Sequence, residues 1–454
     1  MRPSKPDFRA QANWRSMKCW AVLTLSMFLS FNCAPSVADW SGETYRWRLD
    51  NGMTVLYRHN PVSQTVAMAA FVKVPVTAER VDQAGIRHLV QGMLVYRAPK
   101  AGGFDPIEQL GRFGAAVATF VDYDSTQVTV AGLAEHFDSY LSPLRDILFG
   151  EQFAWEHLNS VRATAASMLE ASRENAVGLA MELAHERLFD SAAGSRPLYG
   201  TETSLRRLRQ ADVRRFHAEY WRPNNVVLSI SGPMPAEQCH RQVEAAFALT
   251  LPGVVREFVE TPSSGVPSGY VYRPWATANA AILVMGLAPT PDQDAYAASQ
   301  VLAAVIAGGQ GSLLWQALRD SEPLTYAVDA MVNASSVAGT LQVVCICDAA
   351  EAVRVSEIVD SQIDALRTIV PSEKQVANAI GYIVGRYLSQ QQSNLEAAVA
   401  IGQLEAMVPN KGLELHANML RQIRSVTPVQ VQQAAQLCAA NAIMVQVGGT
   451  PRNL

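Results

Sequence analysis

The sequence lacks the features that announce most enzyme chemistries. Beyond its amino-terminal segment no run approaches the ~18 consecutive apolar residues of a membrane span, so no span is expected there. No basic tract occurs and the formal net charge is −4, which excludes the electrostatic footprint of a nucleic-acid binder. Six cysteines are present, none in a Cys-x-x-Cys pattern. Cys345 and Cys347 are two apart in the strand-like run LQVVCIC and share one face, a poor geometry for a mutual disulfide. With Cys239 and Cys438 they read as small apolar core residues. There is no Gly-x-Ser-x-Gly elbow and no cysteine-protease signature. GGQGS at 308–312 lacks the lysine of a phosphate loop and follows a helical run instead of a strand, so nucleotide binding is not expected.

What is present begins with a secretory leader. Arg15 and Lys18 precede an apolar run from Cys19 to Phe31, and Ser36-Val37-Ala38 forms a small-x-small cleavage site before Asp39. Residues from Met17 form a complete signal peptide by themselves, so translation starts at either Met1 or Met17. Lipidation of Cys33 is disfavoured, because Ser30-Phe31-Asn32 places no small residue directly ahead of it. Removal of residues 1–38 leaves 416 residues with a formal charge of −8, enough for two or three domains. The expected location is the periplasm or the medium.

The remaining chain reads as two similar halves. The first opens with a hairpin, YRWRL and MTVLYR around Asp50-Asn51-Gly52, where Asn-Gly is a strong turn signal. A strand (TVAMAAFVKV), a helix containing His88, a second helix, a strand pair and long helices follow, and VVLSISG closes the half at Gly232. The second half repeats this order from GYVYR to AIMVQVGG, which suggests duplication. LPGVVREFVETPSSGVPSG between them is rich in Pro, Gly and Ser and reads as a linker. The expected boundaries are 39–250, a linker at 251–268, and 269–454. The expected class is α+β, each half a mostly antiparallel sheet backed by helices.

The segment GIRHLVQGML at 85–94 carries the chemistry, or its remnant. A His-x-x-Glu-His helix places two imidazoles one turn apart on a single Zn²⁺, with the Glu between them as base. Here His88 fills the first position, Gln91 the base position and Gly92 the second ligand position. An amide is no base, and glycine has no side chain to donate. The bland alternative for His88 is a core histidine among Ile86, Leu89, Val90 and Met93. Asp122 and Asp124 share a strand face, and read either as a carboxylate pair or as a solvated turn.

LDNGMTV, this helix, PLYGTETSLRRLRQADVRRFHAEYWRPNNVVLSISG and SLLWQALRDSEPLTYAV occur in the order found in the pitrilysin/insulinase family, and from Leu49 to Gly448 the chain resembles that family. The resemblance implies two homologous processing-peptidase-like halves that pair to enclose a peptide-sized chamber. It implies a third zinc ligand beyond the helix, which falls on Glu170, or on Met168 if the register is anchored at Asn175. It places Ala118 and Val121 where the family keeps an Asn and a Thr on substrate backbone. It also places Arg319 and Tyr326 at the family's Arg and Tyr that reach the substrate carbonyl. The expectation is therefore a non-zinc subunit that binds no cofactor alone and works on peptides with a homologous zinc-bearing partner. The alternatives are a peptide-binding scaffold, as in the core subunits of the respiratory cytochrome complex, and a self-sufficient zinc peptidase with displaced ligands.

Overall fold

The computed structural model describes residues 43–98, 104–189, 197–255, 269–336 and 338–452. The leader, its cleavage site, Cys33 and linker residues 256–268 lie outside the described residues.

In the first half, strands β1 (Thr44–Arg48), β2 (Thr54–His59), β3 (Thr65–Val72), β4 (Ala116–Val121), β5 (Thr126–Leu133) and β6 (Val226–Gly232) form one sheet ordered β1-β2-β6-β3-β5-β4. In the second, β7 (Gly269–Arg273), β8 (Asn279–Ala288), β9 (Thr325–Asn333), β10 (Gly339–Asp348) and β11 (Ile443–Val447) are ordered β7-β11-β8-β10-β9. Without β1 the two sheets correspond strand for strand. In each the first and last strands pair in parallel (β2 with β6, β7 with β11), and the other pairs are antiparallel. The opening hairpin turns at Gly52 with φ 81, a left-handed conformation suited to glycine. Asn51 fastens it by donating to the Phe247 carbonyl at 3.0 Å.

The helices of the first half are α1 (Ile86–Leu94), α2 (Pro106–Arg112), α3 (Phe137–Phe149), α4 (Leu158–Arg173), α5 (Ala176–Leu188), α6 (Glu202–Arg207), α7 (Gln210–Tyr220) and α8 (Ala236–Phe247). Those of the second are α9 (Tyr296–Ala307), α10 (Leu313–Trp315, passing into a π turn at Gln316–Asp320), α11 (Ala352–Thr368), α12 (Glu373–Gln390), α13 (Asn394–Met407), α14 (Gly412–Arg424) and α15 (Pro428–Ala439).

A sheet covered on one face alternates apolar and polar residues, whereas β3 is buried from Val66 to Val72 without interruption. Val66, Met68, Ala70 and Val72 face α1, α3, α7 and α8 of their own half. Ala69 and Phe71 face the other way, and Ala398 and Ile401 of α13 cover them. The arrangement is reciprocal: Leu283 and Met285 of β8 lie under Ala180, Ala184 and Leu188 of α5. Helices back one face of each sheet as expected, and the second face is covered by a helix lent from the opposite half. Gly402 permits the close approach of α13, since a Cβ there would overlap the Phe71 ring. Polar contacts fix its position. Asn394 donates to Ser63 Oγ at 2.8 Å and accepts from Asn60 Nδ2 and Ser231 Oγ, both at 2.9 Å, while Arg46 meets the buried Glu405 at 2.8 Å.

Candidate active-site cleft

Helix α1 starts at Gly85, which has φ 88 and offers no capping side chain. The cap comes from Glu79 in the preceding loop, whose carboxylate accepts from Gly85 N at 2.7 Å and Arg87 N at 3.2 Å. The same carboxylate pairs with Arg87 Nε at 3.1 Å, and both side chains are fully buried. Arg87 Nη1 donates to the Val74 carbonyl at 3.1 Å and the Asp122 carbonyl at 2.5 Å, tying the end of β3 and the β4–β5 turn to the helix. Burial raises the Glu79 carboxyl above its ordinary range, outweighing the attraction of Arg87. The sequence reading missed this device, because a loop Glu eight residues before a helix Arg leaves no periodic signal.

The cleft beside α1 has a volume of about 210 Å³ and is walled by His88, Gln91 and Gly92 of α1, Thr119 of β4, and Val161, Ala165 and Met168 of α4, among others. His88 is only 6% exposed. Its ring lies 4.9 Å from that of Tyr199 and hydrogen-bonds the Leu198 backbone, while Nε2 has no partner among the described residues. Burial, aided by the Arg87 charge, holds its pKa down to about 3, so the imidazole is neutral. The Gln91 amide is occupied, donating to the Thr119 hydroxyl and to its carbonyl at 3.2 Å. Gly92 marks a close contact, since a Cβ there would overlap Val161 of α4.

The two residues read as candidates for the third ligand position lie in different surroundings. Met168, 46% exposed, lies on the cleft wall, whereas Glu170 is exposed and absent from it. Two residues turn a helix by roughly 200°, so the two side chains leave α4 on opposite sides. The register anchored at Asn175, the residue that caps α5, is the one that reaches the cleft. On β4, Ala118 is exposed and Val121 half-buried, and strand alternation sends them to opposite faces. Thr119 is the β4 side chain that meets α1, and the sequence reading passed over it. The segment AVATFV has apolar residues on both faces, so its sequence carries no signal for the face that meets α1.

Asp122 and Asp124 form no carboxylate pair, and the turn they occupy is not simply solvated. Asp122 Oδ1 accepts from Asp124 N at 2.8 Å and Ser125 N at 2.6 Å, closing the turn. Asp124 reaches the second half, accepting from Ser336 Oγ at 2.6 Å and Ser335 Oγ at 3.2 Å. All four described cysteines are free and buried, with Cys345 and Cys347 in the same core.

A catalytic zinc requires at least three protein ligands. The cleft offers one imidazole, an amide already bonded and a thioether, and the described residues contain no group of three His, Cys, Asp or Glu able to hold a metal. This donor set does not fit zinc. Substituting Gln91→Glu and Gly92→His together is therefore expected to leave the purified protein well short of one zinc per chain by elemental analysis. Adding Met168→Glu and Val161→Ala supplies the third ligand and the missing space, and is expected to raise zinc towards one equivalent. Stoichiometric zinc in the double variant would show that Met168 does not hold the ligand register.

Arg319 and Tyr326 lie outside this cleft, and the structure brings them together. Arg319, in the π turn, sits over the Trp315 ring at 4.6 Å and donates to the Tyr326 carbonyl at 3.2 Å. Tyr326, the second residue of β9, is 58% exposed and donates its hydroxyl to Asp348 Oδ1 at 2.6 Å. Both side chains are thus exposed donors, Tyr326 on the edge strand of the second sheet and Arg319 on the turn that precedes it.

Residues 54–202 match the family described as Insulinase (Peptidase family M16), and residues 207–381 match the one described as Peptidase M16 inactive domain. An uncharacterized zinc protease of Rickettsia felis is 22% identical over 298 residues, covering 65% of this chain and 71% of that protein. A non-peptidase homolog of Helicobacter pylori is 23% identical over 260 residues, covering 57% of this chain and 60% of the other. The crystal structure of a peptidase M16 inactive domain from Pseudomonas fluorescens shares the fold with a TM-score of 0.80 at 18% identity, across 91% of this chain and 99% of that one. Both halves are matched in order, and together with the doubled sheet they make this chain a member of the insulinase (M16) peptidase family.

Proposed function

We propose that this chain is the non-zinc subunit of a two-chain peptidase, secreted to the periplasm by its leader and completed by a homologous partner that carries the intact His-x-x-Glu-His helix. The observation that carries the reading is a contrast between the halves. The first-half cleft holds no base and only one of the motif's ligands, His88, while the second half presents the Arg319–Tyr326 pair on an exposed edge. In such a pair the partner supplies metal and base. The Arg319 guanidinium and the Tyr326 hydroxyl, released from Asp348, donate to the scissile carbonyl oxygen as it becomes tetrahedral. Donors aimed at a developing oxyanion contribute more in the transition state than in the ground state.

Tyr326→Phe deletes only a hydroxyl, and is expected to lower turnover of the reconstituted pair ~10²–10³-fold. Arg319→Ala also removes packing on Trp315, and is expected to raise KM as well. The assay uses both chains isolated from the periplasmic fraction, with each chain alone as the control. Normal cleavage by a pair carrying both substitutions would favour the second reading, a scaffold or peptide-binding subunit without proteolysis. That reading draws support from the Tyr326–Asp348 bond, which occupies the proposed donor, and from the likeness to a non-peptidase homolog. The third possibility, a zinc peptidase sufficient in itself, has no donor set to support it among the described residues.

A further inference from the structure

Duplication places a second cavity where the second half matches the His88 cleft. The cleft lies between α1, β4 and α4; the cavity, of about 440 Å³, lies between their counterparts α9, β9 and α12, with α13 and α14 closing the far side. That volume falls in the range of small-molecule and peptide-end sites. The lining contains no Asp or Glu, and its one permanent charge is Arg386. Arg386 is exposed, and no described residue holds it in an ion pair or hydrogen bond. Behind the wall a second cation, the buried Arg58 of β2, has Ser231 Oγ at 3.3 Å and no carboxylate partner among the described residues. Its charge bears on Tyr387 and His416, which face the cavity and meet each other at 2.8 Å. The field inside therefore favours an anion.

The rest of the lining narrows the anion's chemistry. Ala303, Ala304, Met407, Met419 and Ile423 form an apolar wall, and methionines adapt to varied side chains. The amides of Asn333, Gln390 and Gln403 also face the cavity, and none has a hydrogen-bond partner among the described residues. A bare alkyl carboxylate would cover these amides without satisfying them, whereas a peptide backbone would satisfy them. We propose that this cavity binds the carboxyl-terminal residues of a peptide with an apolar last side chain, the terminal carboxylate pairing with Arg386 and the side chain lying on the apolar wall. The site belongs to this chain alone and does not depend on a zinc-bearing partner.

Fluorescence anisotropy with the purified chain tests it, using labelled hexapeptides ending in Phe-Leu as the free acid and as the carboxamide. The free acid is expected to bind at least ~10-fold more tightly than the amide, as for a charge-assisted contact. Arg386→Gln is expected to erase that preference while leaving the melting temperature unchanged, since the side chain is exposed. Gln390→Ala is expected to weaken both peptides alike, and equimolar octanoate to displace neither. Equal binding of acid and amide, an acid preference surviving Arg386→Gln, no binding up to millimolar peptide, or ready displacement by octanoate would each overturn the proposal.

Discussion

Expressed without residues 269–454, the first half is expected to be insoluble or unfolded, although it carries a complete six-stranded sheet. The reason is the missing α13, which covers Leu56, Phe71 and Val227 and itself buries Ile401 against them. Each such side chain contributes ~1.5–3 kcal/mol when taken from water, so the three that stay in the truncated half and lose their cover forfeit on the order of 4–9 kcal/mol as an upper figure. A domain's whole net stability is about 5–15 kcal/mol. The half would also leave α5 without the β8 and β11 surface on which Ala180, Ala184 and Leu188 pack. Within the intact chain, Gly402→Leu is expected to expel α13 from Phe71 and give an aggregating protein. Circular dichroism and size-exclusion chromatography read both outcomes. A monomeric first half with a cooperative thermal transition would show that the exchanged helix is dispensable.

The second large effect is acid lability. His88, His185 and His217 are buried and neutral, with pKa values held down to about 3, to about 4, and well below the ordinary 6.5. Burial is the main cause in each, and the Arg97 and Arg87 charges add to it at His217 and His88. Above pH 6.5 these imidazoles are neutral whether the chain is folded or unfolded, so their contribution is fully present. Below it the unfolded chain takes up protons that the folded chain refuses, and stability falls until the folded pKa values are reached. By pH 5 His88 and His185 each cost roughly 2 kcal/mol, at 1.36 kcal/mol per pKa unit, and His217 adds to the loss in the same direction. Glu79 and Asp124 act in the opposite direction, because their raised carboxyls make the folded state the better proton acceptor, but they are two groups against these three histidines and His416, which burial also holds down to about 4. Unfolding is therefore expected between pH 6.5 and about 4, followed by fluorescence at low denaturant. His185→Phe, which keeps the ring stack with Tyr123 and Phe189, should move the midpoint to lower pH. A stability that is flat from pH 7 to pH 5 would refute this account.

The succession of strands and helices along each half was legible because turn chemistry and apolar runs punctuate it, and because the second half repeats the first. The exchange of helices was not. An unbroken apolar run such as TVAMAAFV says that both faces are buried, but not by what, and α5 and α13 read as ordinary helices of their own halves. The site was legible on α1, where His88, Gln91 and Gly92 sit in a fixed motif. It blurred wherever a small offset changes the face of an element. Thr119 lies one residue from Ala118, and Met168 two from Glu170, and in each case the offset decides which side chain enters the cleft. Glu79 and Arg87 were invisible for another reason, since burial of a charge pair depends on loops that leave no pattern.

The contact between Gly92 and Val161 constrains how a second metal ligand could be introduced on α1. A histidine returning to position 92 in one mutational step collides with α4, so the step that begins to rebuild the ligand set also disrupts the core. Trimming Val161 beforehand opens a void beside a bare glycine and brings no catalytic return. Either order passes through a less stable intermediate, and Met168 must still be replaced before a metal is held. A self-contained metal centre at α1 therefore requires concerted change at Gly92, Val161 and Met168, since no single substitution among them both fits the packing and completes the ligand set.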